Sequence, residues 1–143
     1  GDDVICIAAL TAGHLLSTTL QPGTRVPAYC TANGRVLLAA LPDWQLDEWL
    51  ARQVLAARTP HTITDAARLR AEILRARAQG YALVEQEFEL GLRTISVPLI
   101  SADGQVLAAL NVSAHPARCS AGQLIDECLP ALRQTQATLR RQL

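Results

Sequence analysis

The run Leu20-Gln21-Pro22-Gly23-Thr24-Arg25-Val26-Pro27-Ala28-Tyr29-Cys30-Thr31-Ala32-Asn33-Gly34-Arg35-Val36-Leu37-Leu38-Ala39 decides how this chain is read. Pro22-Gly23 and Pro27 punctuate it as turns. The small residues Thr31 to Gly34 then open an apolar segment that reads as a helix from Asn33 or Gly34 to about Leu41, with Val36, Leu37 and Ala40 on one face and Pro42-Asp43 as its end. The first N–H groups of a helix have no intrahelical partner, and the helix dipole favours negative charge in front of them. Such a mouth suits an anion; it also suits an ordinary N-terminus capped by Thr31.

Upstream of this run, Val4 to Leu10 reads as a strand, Thr11-Ala12-Gly13 as a turn and His14 to Thr19 as a second strand, together a hairpin. Downstream, Leu46, Trp49, Leu50 and Val54 recur at helical spacing and predict a helix over Leu46 to Leu55. Thr59 to Thr64 is an extended connector, in which Thr62 followed by Asp65 resembles a capping box. The next helix, Asp65 to Gln79, buries Leu69, Ile73 and Ala76, turns Arg68, Arg70, Glu72, Arg75 and Arg77 to water, and stops at Gly80. Tyr81 to Glu85, Thr94 to Ile100 and Gln105 to Ser113 read as strands. From about Ala121 to Leu143 a helical stripe of Leu124, Cys128, Leu132, Leu139 and Leu143 follows, with Pro130 predicting a kink or a fresh start. Helices interrupting a mostly antiparallel sheet give an α+β layout in which the last helix covers one sheet face.

Asp103-Gly104 signals a two-residue type I′ turn, which sets cross-strand partners to sum to 207. Thr94 then faces Ser113 and Ser96 faces Asn111, all four on one face. Ile95, Val97, Leu99, Ala108, Leu110 and Val112 take the other. Three hydroxyls and an amide within an apolar hairpin are either the polar wall of a ligand pocket or a wetted sheet face. Glu85, Glu87 and Glu89 alternate on one face of the preceding strand end, where a salt bridge or solvent exposure is the simplest role for Glu87.

The chain has 143 residues, is half hydrophobic and carries zero formal charge, all thirteen basic residues being arginine. That length suits one domain with one core. A neutral balance argues against nucleic-acid contact by these residues themselves. Cys6, Cys30, Cys119 and Cys128 lack close spacing and are expected to be reduced thiols of a cytoplasmic protein. The longest apolar run is far below the roughly 20 residues of a membrane span, and no signal-peptide pattern precedes it. Cys30 with His14 lacks a third, orienting group for nucleophilic chemistry, and His115 with Cys119 gives one i, i+4 pair interrupted by Pro116. The expectation is no enzymatic activity, no metal and no cofactor.

Residues Pro27 to Ala39 resemble the P-x-x-x-T-A-x-G-[RK]-x-L-L-A signature of the effector-binding domain of IclR-type bacterial transcription regulators. The fuller form from Arg25 is similar to the branch responding to protocatechuate, 4-hydroxybenzoate and β-ketoadipate. Gly80 to Pro98, followed by Asp103-Gly104 and Ala108 to Ser113, is similar to the second half of the same domain. The resemblance covers nearly the whole chain. It implies a GAF-like or PAS-like fold with a long C-terminal helix, and a winged helix-turn-helix outside residues 1–143 through which DNA would be bound. It further implies a pocket between the Thr31-Ala32-Asn33-Gly34 mouth and a wall of Thr94, Ser96, Asn111 and Ser113, binding an aromatic or dicarboxylic acid.

Tyr29 could stack on such a ligand, with Cys30 beside it, and Arg25 or Arg93 could fork onto a carboxylate or be solvated. Val84 stands where some relatives carry an acidic side chain facing a small keto-acid; its apolar character argues for a larger or less polar ligand. The resemblance also implies a homodimer or dimer of dimers. An alternative without a ligand is an oligomerisation module pairing through the terminal helix or the helices from Gly34 to Leu55.

Overall fold

The computed structural model describes residues 2–8 and 21–143. In chain order the elements are β1 (Asp3–Ile5), β2 (Arg25–Pro27), α1 (Ala32–Ala39), α2 (Asp43–Arg52), α3 (Ala66–Gln79), β3 (Ala82–Glu85), β4 (Arg93–Ile100), β5 (Val106–Ala114), α4 (Ala121–Gln123), a π turn (Leu124–Cys128) and α5 (Leu129–Arg140). All strand pairs are antiparallel: β1 with β2, and β3-β4-β5 as a three-stranded sheet. The strand expected from Val4 is therefore β1, paired to β2. It stops at Ile5, short of the expected Leu10, with Cys6 to Ala8 outside any strand; the remainder of the expected hairpin, including His14 to Thr19, lies outside the described residues.

In the β4–β5 hairpin Thr94 pairs with Ser113, Ser96 with Asn111 and Leu99 with Ala108, as the sum of 207 requires. The turn is nevertheless not type I′. Only Gly104 has positive φ, at +89°, while Asp103 does not. Gly104 N–H donates to Ser101 O (3.0 Å) and Ser101 N–H to Gln105 O (2.8 Å), which is a three-residue loop with glycine in the left-handed position. That loop shifts the register by one, to Ile100 opposite Val106, and a bulge between Leu99 and Ile100 restores it by leaving Leu107 as an extra residue on β5. Two local departures cancel, so the face assignment survives.

Helix α1 is buried on more sides than its pattern suggests. Ala32, Gly34, Arg35, Val36, Leu38 and Ala39 are buried, whereas Leu37 is half-buried and Ala40 exposed. The helix lies between the sheet and α3, so no single stripe describes it. Helix α2 starts earlier than expected, at Asp43, and ends at Arg52; Gln53 turns extended and leaves Val54 exposed. For α3 the cap is Asp65, whose carboxylate accepts from Arg68 N–H at 2.9 Å, and not Thr62. Leu69 and Ile73 are fully buried, and Gly80 closes the helix at φ +80°.

The C-terminal helix opens with a Ser120/Gln123 capping box and runs to Arg140 without a break. Pro130 has no N–H to donate, and the chain accommodates it by widening the preceding turn: Leu129 N–H donates to Leu124 O, five residues back. The extra residue rotates the apolar stripe. Leu124, Leu129 and Leu132 are buried, Cys128 is half-buried and Leu143 is exposed. These leucines pack on Ile95 and Val97, forming one core beneath the sheet. Each buried leucine contributes about 1.5–3 kcal/mol relative to exposure. A second, larger core fills the other side among α1, α2, α3, Ala82 and Val84.

Candidate functional site

The polar face of the sheet looks toward the second core, and α1 points its N-terminus at it. Thr31 holds an extended conformation and caps the helix, its Oγ1 accepting from Gly34 N–H at 3.2 Å and donating to Pro27 O at 2.9 Å. The N–H groups of Ala32 and Asn33 precede the first intrahelical bond. Gly34 is required by packing: a Cβ there would stand 2.1 Å from Ala28 O and 2.4 Å from Ala28 Cα. The mouth is tied directly to the sheet, because Ser96 Oγ donates to Asn33 Oδ1 at 2.6 Å.

Along the wall, Thr94 Oγ1 and Ser113 Oγ share a hydrogen bond of 2.8 Å, and Val84 stands beside Thr94 on the neighbouring strand. A cleft opens where mouth and wall meet. Cys30, Thr31, Ala32 and Asn33 line it from the helix side; Val84, Thr94, Asn111 and Ser113 line it from the sheet. Val26, Glu87, Phe88 and Leu92 complete the rim. Its cavity volume is about 30 Å³, within about 400 Å³ of empty space when the open mouth is included. Anything larger than a water molecule or two fits there only if some of these contacts part.

Five residues expected at the site do not line the cleft. Gly34 is buried against the Ala28 backbone, and Ser96 is fully buried with its hydroxyl held by Asn33. Tyr29 turns away and donates its hydroxyl to Ala56 O at 2.8 Å. Burial pushes its phenol pKa up, with Cys30 adding to the rise. Arg93 pairs with Glu85 at 3.0 Å and donates to Cys119 O at 2.7 Å, on the far side of the cleft's wall. Arg25 alternates with Val26 on β2, and Val26 is the inward member.

Val26, Phe88 and Leu92 are cleft residues that sequence reasoning missed. Periodicity cannot find them, since Phe88 and Leu92 sit in the irregular link between β3 and β4. One signal was available: Phe88 is the single phenylalanine of the chain.

Glu87 is turned inward because the strand stops at Glu85 and Gln86 adopts φ +56°. The three glutamates therefore do not share a face. Arg35, on α1, forks onto Glu87 with bonds of 2.9 and 2.8 Å, both side chains being buried. Thr62 Oγ1 donates to Glu87 O at 2.6 Å, and Thr59 Oγ1 to Gln86 O at 2.6 Å. These bonds fix the segment that carries Phe88. Neutralised by Arg35, the Glu87 carboxylate can border the cleft without repelling an anion.

Cys30 is wholly buried, and burial pushes its thiol up to about 11 against the opposing charge of Arg58. A neutral thiol is a poor nucleophile. Its imagined partner His14 lies outside the described residues. His115 Nδ1 accepts from Ala117 N–H at 3.0 Å within a turn, not on a helix. No helix among the described residues is long and apolar enough to cross a membrane.

Residues 1–141 match the family model of the bacterial transcriptional regulator IclR C-terminal domain. The chain belongs to that family. It is 49% identical over 144 residues to the Pca regulon regulatory protein of Pseudomonas putida, covering 100% of this chain and 50% of that protein. Identity to the p-hydroxybenzoate hydroxylase transcriptional activator of Acinetobacter baylyi is 40% over 118 residues, 82% of this chain and 44% of that one. The chain thus spans about half the length of these curated relatives. Among solved structures, a double mutant of the PobR inducer-binding domain from Acinetobacter, in complex with 3-hydroxybenzoic acid, superposes with a TM-score of 0.87 at 35% identity, covering 92% of this chain and 75% of that one.

Proposed function

We propose that this domain is the effector sensor of an IclR-type transcription regulator and that its effector is an aromatic acid or a related dicarboxylic catabolite. The observation that carries the reading is the cleft itself. A helix N-terminus and a hydroxyl- and amide-bearing wall converge on a space bordered otherwise by apolar Val26, Val84, Phe88 and Leu92, the Cys30 thiol and the Arg35-paired Glu87. That is polar recognition at one end and apolar contact at the other, as a ring bearing a carboxylate requires. The PobR domain solved with 3-hydroxybenzoic acid and the activator of p-hydroxybenzoate hydroxylase support the ligand class. Val84, apolar and buried, supports a ring over a small keto-acid.

Binding acts by preference between states, since a ligand with equal affinity for both shifts nothing. Here the Asn33–Ser96 bond couples the α1 mouth to the sheet, so a ligand that parts mouth from wall moves α1. The parent protein is a cytoplasmic homodimer or dimer of dimers that reaches DNA through a separate winged helix-turn-helix and performs no catalysis. Against the reading of a ligand-free oligomerisation module, the leucine stripe of the terminal helix is already taken up by Ile95 and Val97.

Isothermal titration of the chain with 3-hydroxybenzoate, 4-hydroxybenzoate, protocatechuate and β-ketoadipate tests the assignment. At least one should bind with heat and raise the melting temperature; folded protein that binds none of the four overturns it.

A further inference from the structure

The effector cleft is nearly closed, and among its lining side chains Phe88 is the one placed to change that. The wall stands in the register of β4 and β5, the mouth is tied to the sheet by the Asn33–Ser96 bond, and Glu87 is pinned by Arg35. Phe88 lies outside every helix and strand, one residue past Glu87 and just before the exposed Glu89 and Leu90. It is half-buried against the larger core, and the guanidinium carbon of exposed Arg58 lies 4.5 Å from its ring centroid.

The backbone that carries this ring is anchored. Gln86 N–H donates to Leu92 O at 2.8 Å and Gly91 N–H to Gln86 Oε1 at 3.0 Å, closing the link on itself. Thr62 Oγ1 holds Glu87 O beside it. What remains free is rotation about the bonds of the Phe88 side chain. A ligand ring needs far more than the roughly 30 Å³ of the cleft, since a dry cavity of about 150 Å³ holds one benzene. The phenyl group of Phe88 is a ring of that same size, so swinging it out vacates the room that an aromatic ligand requires.

We propose that Phe88 is an internal plug of the effector cleft: its ring holds the place that the ring of an aromatic acid takes, and Arg58 latches it there from outside. This rests on the effector reading above and leaves the ligand's carboxylate at the α1 mouth. Val26, Val84 and Leu92 remain as the apolar border once the plug is out. Arg58 touches no ligand; its stack on the ring favours the closed cleft, and binding competes with it. A site open for only a fraction of the time has its apparent affinity reduced by that fraction. The plug thus covers the apolar part of the empty cleft and sets the concentration at which the effector is sensed.

The test compares wild type, Phe88→Ala and Arg58→Met by titration and stopped-flow fluorescence with 3-hydroxybenzoate, each protein being melted first to verify folding. Measurements are made at high salt, where steering of the anion by surface charge is screened. Phe88→Ala should bind about tenfold tighter or more, through faster association. Arg58→Met leaves every lining residue in place and should raise the association rate about two- to fivefold with the dissociation rate unchanged. Weaker binding by Phe88→Ala would make the ring a wall that the ligand leans on, and unchanged binding would put it out of the way; either overturns the plug while the effector reading stands. If Phe88→Ala does not fold, Arg58→Met decides, and an association rate no higher than that of wild type overturns the plug. Wild type that binds neither this acid nor any other of the four effectors above removes both readings together.

Discussion

Removing the Glu87 carboxylate should cost this domain a large part of its stability, and removing Arg35 with it should return most of that cost. Arg35 is 3% exposed and its guanidinium forks onto Glu87 between α1 and the β3–β4 link. Its Nε has no partner among the described residues, so the pair is not fully satisfied by them. Breaking a buried pair from one side leaves an uncompensated charge, at about 3–5 kcal/mol. A domain of this size has a total stability of roughly 7–20 kcal/mol. Glu87→Ala should therefore lower the melting temperature by about 10 °C. The double variant Arg35→Met/Glu87→Leu replaces both charges by apolar groups of similar length and should lie within about 1 kcal/mol of wild type or above it. Urea unfolding of wild type, both single variants and the double variant gives the four corners of the cycle. A Glu87→Ala cost below about 1 kcal/mol, or a double variant no more stable than the worse single one, would refute the reasoning. Either outcome would mean that water reaches the pair.

Gly34→Ala gains about 1 kcal/mol of helix propensity but drives a Cβ to 2.1 Å from backbone Ala28 O, so the clash should win, with α1 displaced and a net loss of several kcal/mol measured by thermal melting. Ser113→Leu should abolish binding of 3-hydroxybenzoate in titration by filling the roughly 30 Å³ cavity, while stability falls only about 1–3 kcal/mol from the hydroxyl of Thr94 left without its partner; unchanged affinity would place the ligand elsewhere. In a chain whose other three cysteines are serine, Cys30 should react with iodoacetamide roughly a hundredfold slower than a free thiol at pH 7.5, rising steadily toward pH 11. The same raised pKa adds stability that is complete below the pKa of the unfolded thiol, about 9, and lost as pH climbs through about 11; a flat urea midpoint between those values speaks against it.

Composition and pattern sufficed for the α+β class, for the inward faces of α2 and α3 through Leu46, Trp49, Leu69 and Ile73, and for the pairing of Thr94 with Ser113. Alternation along a strand and recurrence along a helix are local consequences of backbone geometry, legible one residue at a time. The α1 face was not, because a helix enclosed by two layers has no solvent side to break the pattern. The turn at Asp103-Gly104 was misread in type yet its register held, since the bulge beside Leu107 compensated. The π turn before Pro130 exchanged Cys128 for Leu129 in the buried stripe.

By itself the sequence determined which residues could form the mouth and which the wall, since capping chemistry and two-residue alternation require only neighbours in the chain. Tertiary structure alone decided that Asn33 reaches Ser96, that Arg35 neutralises Glu87, that Tyr29 and Arg93 turn away, and that Arg58 comes to rest on Phe88. These contacts join residues far apart along the chain. Their partners are chosen by how the layers pack, and no local pattern records that choice.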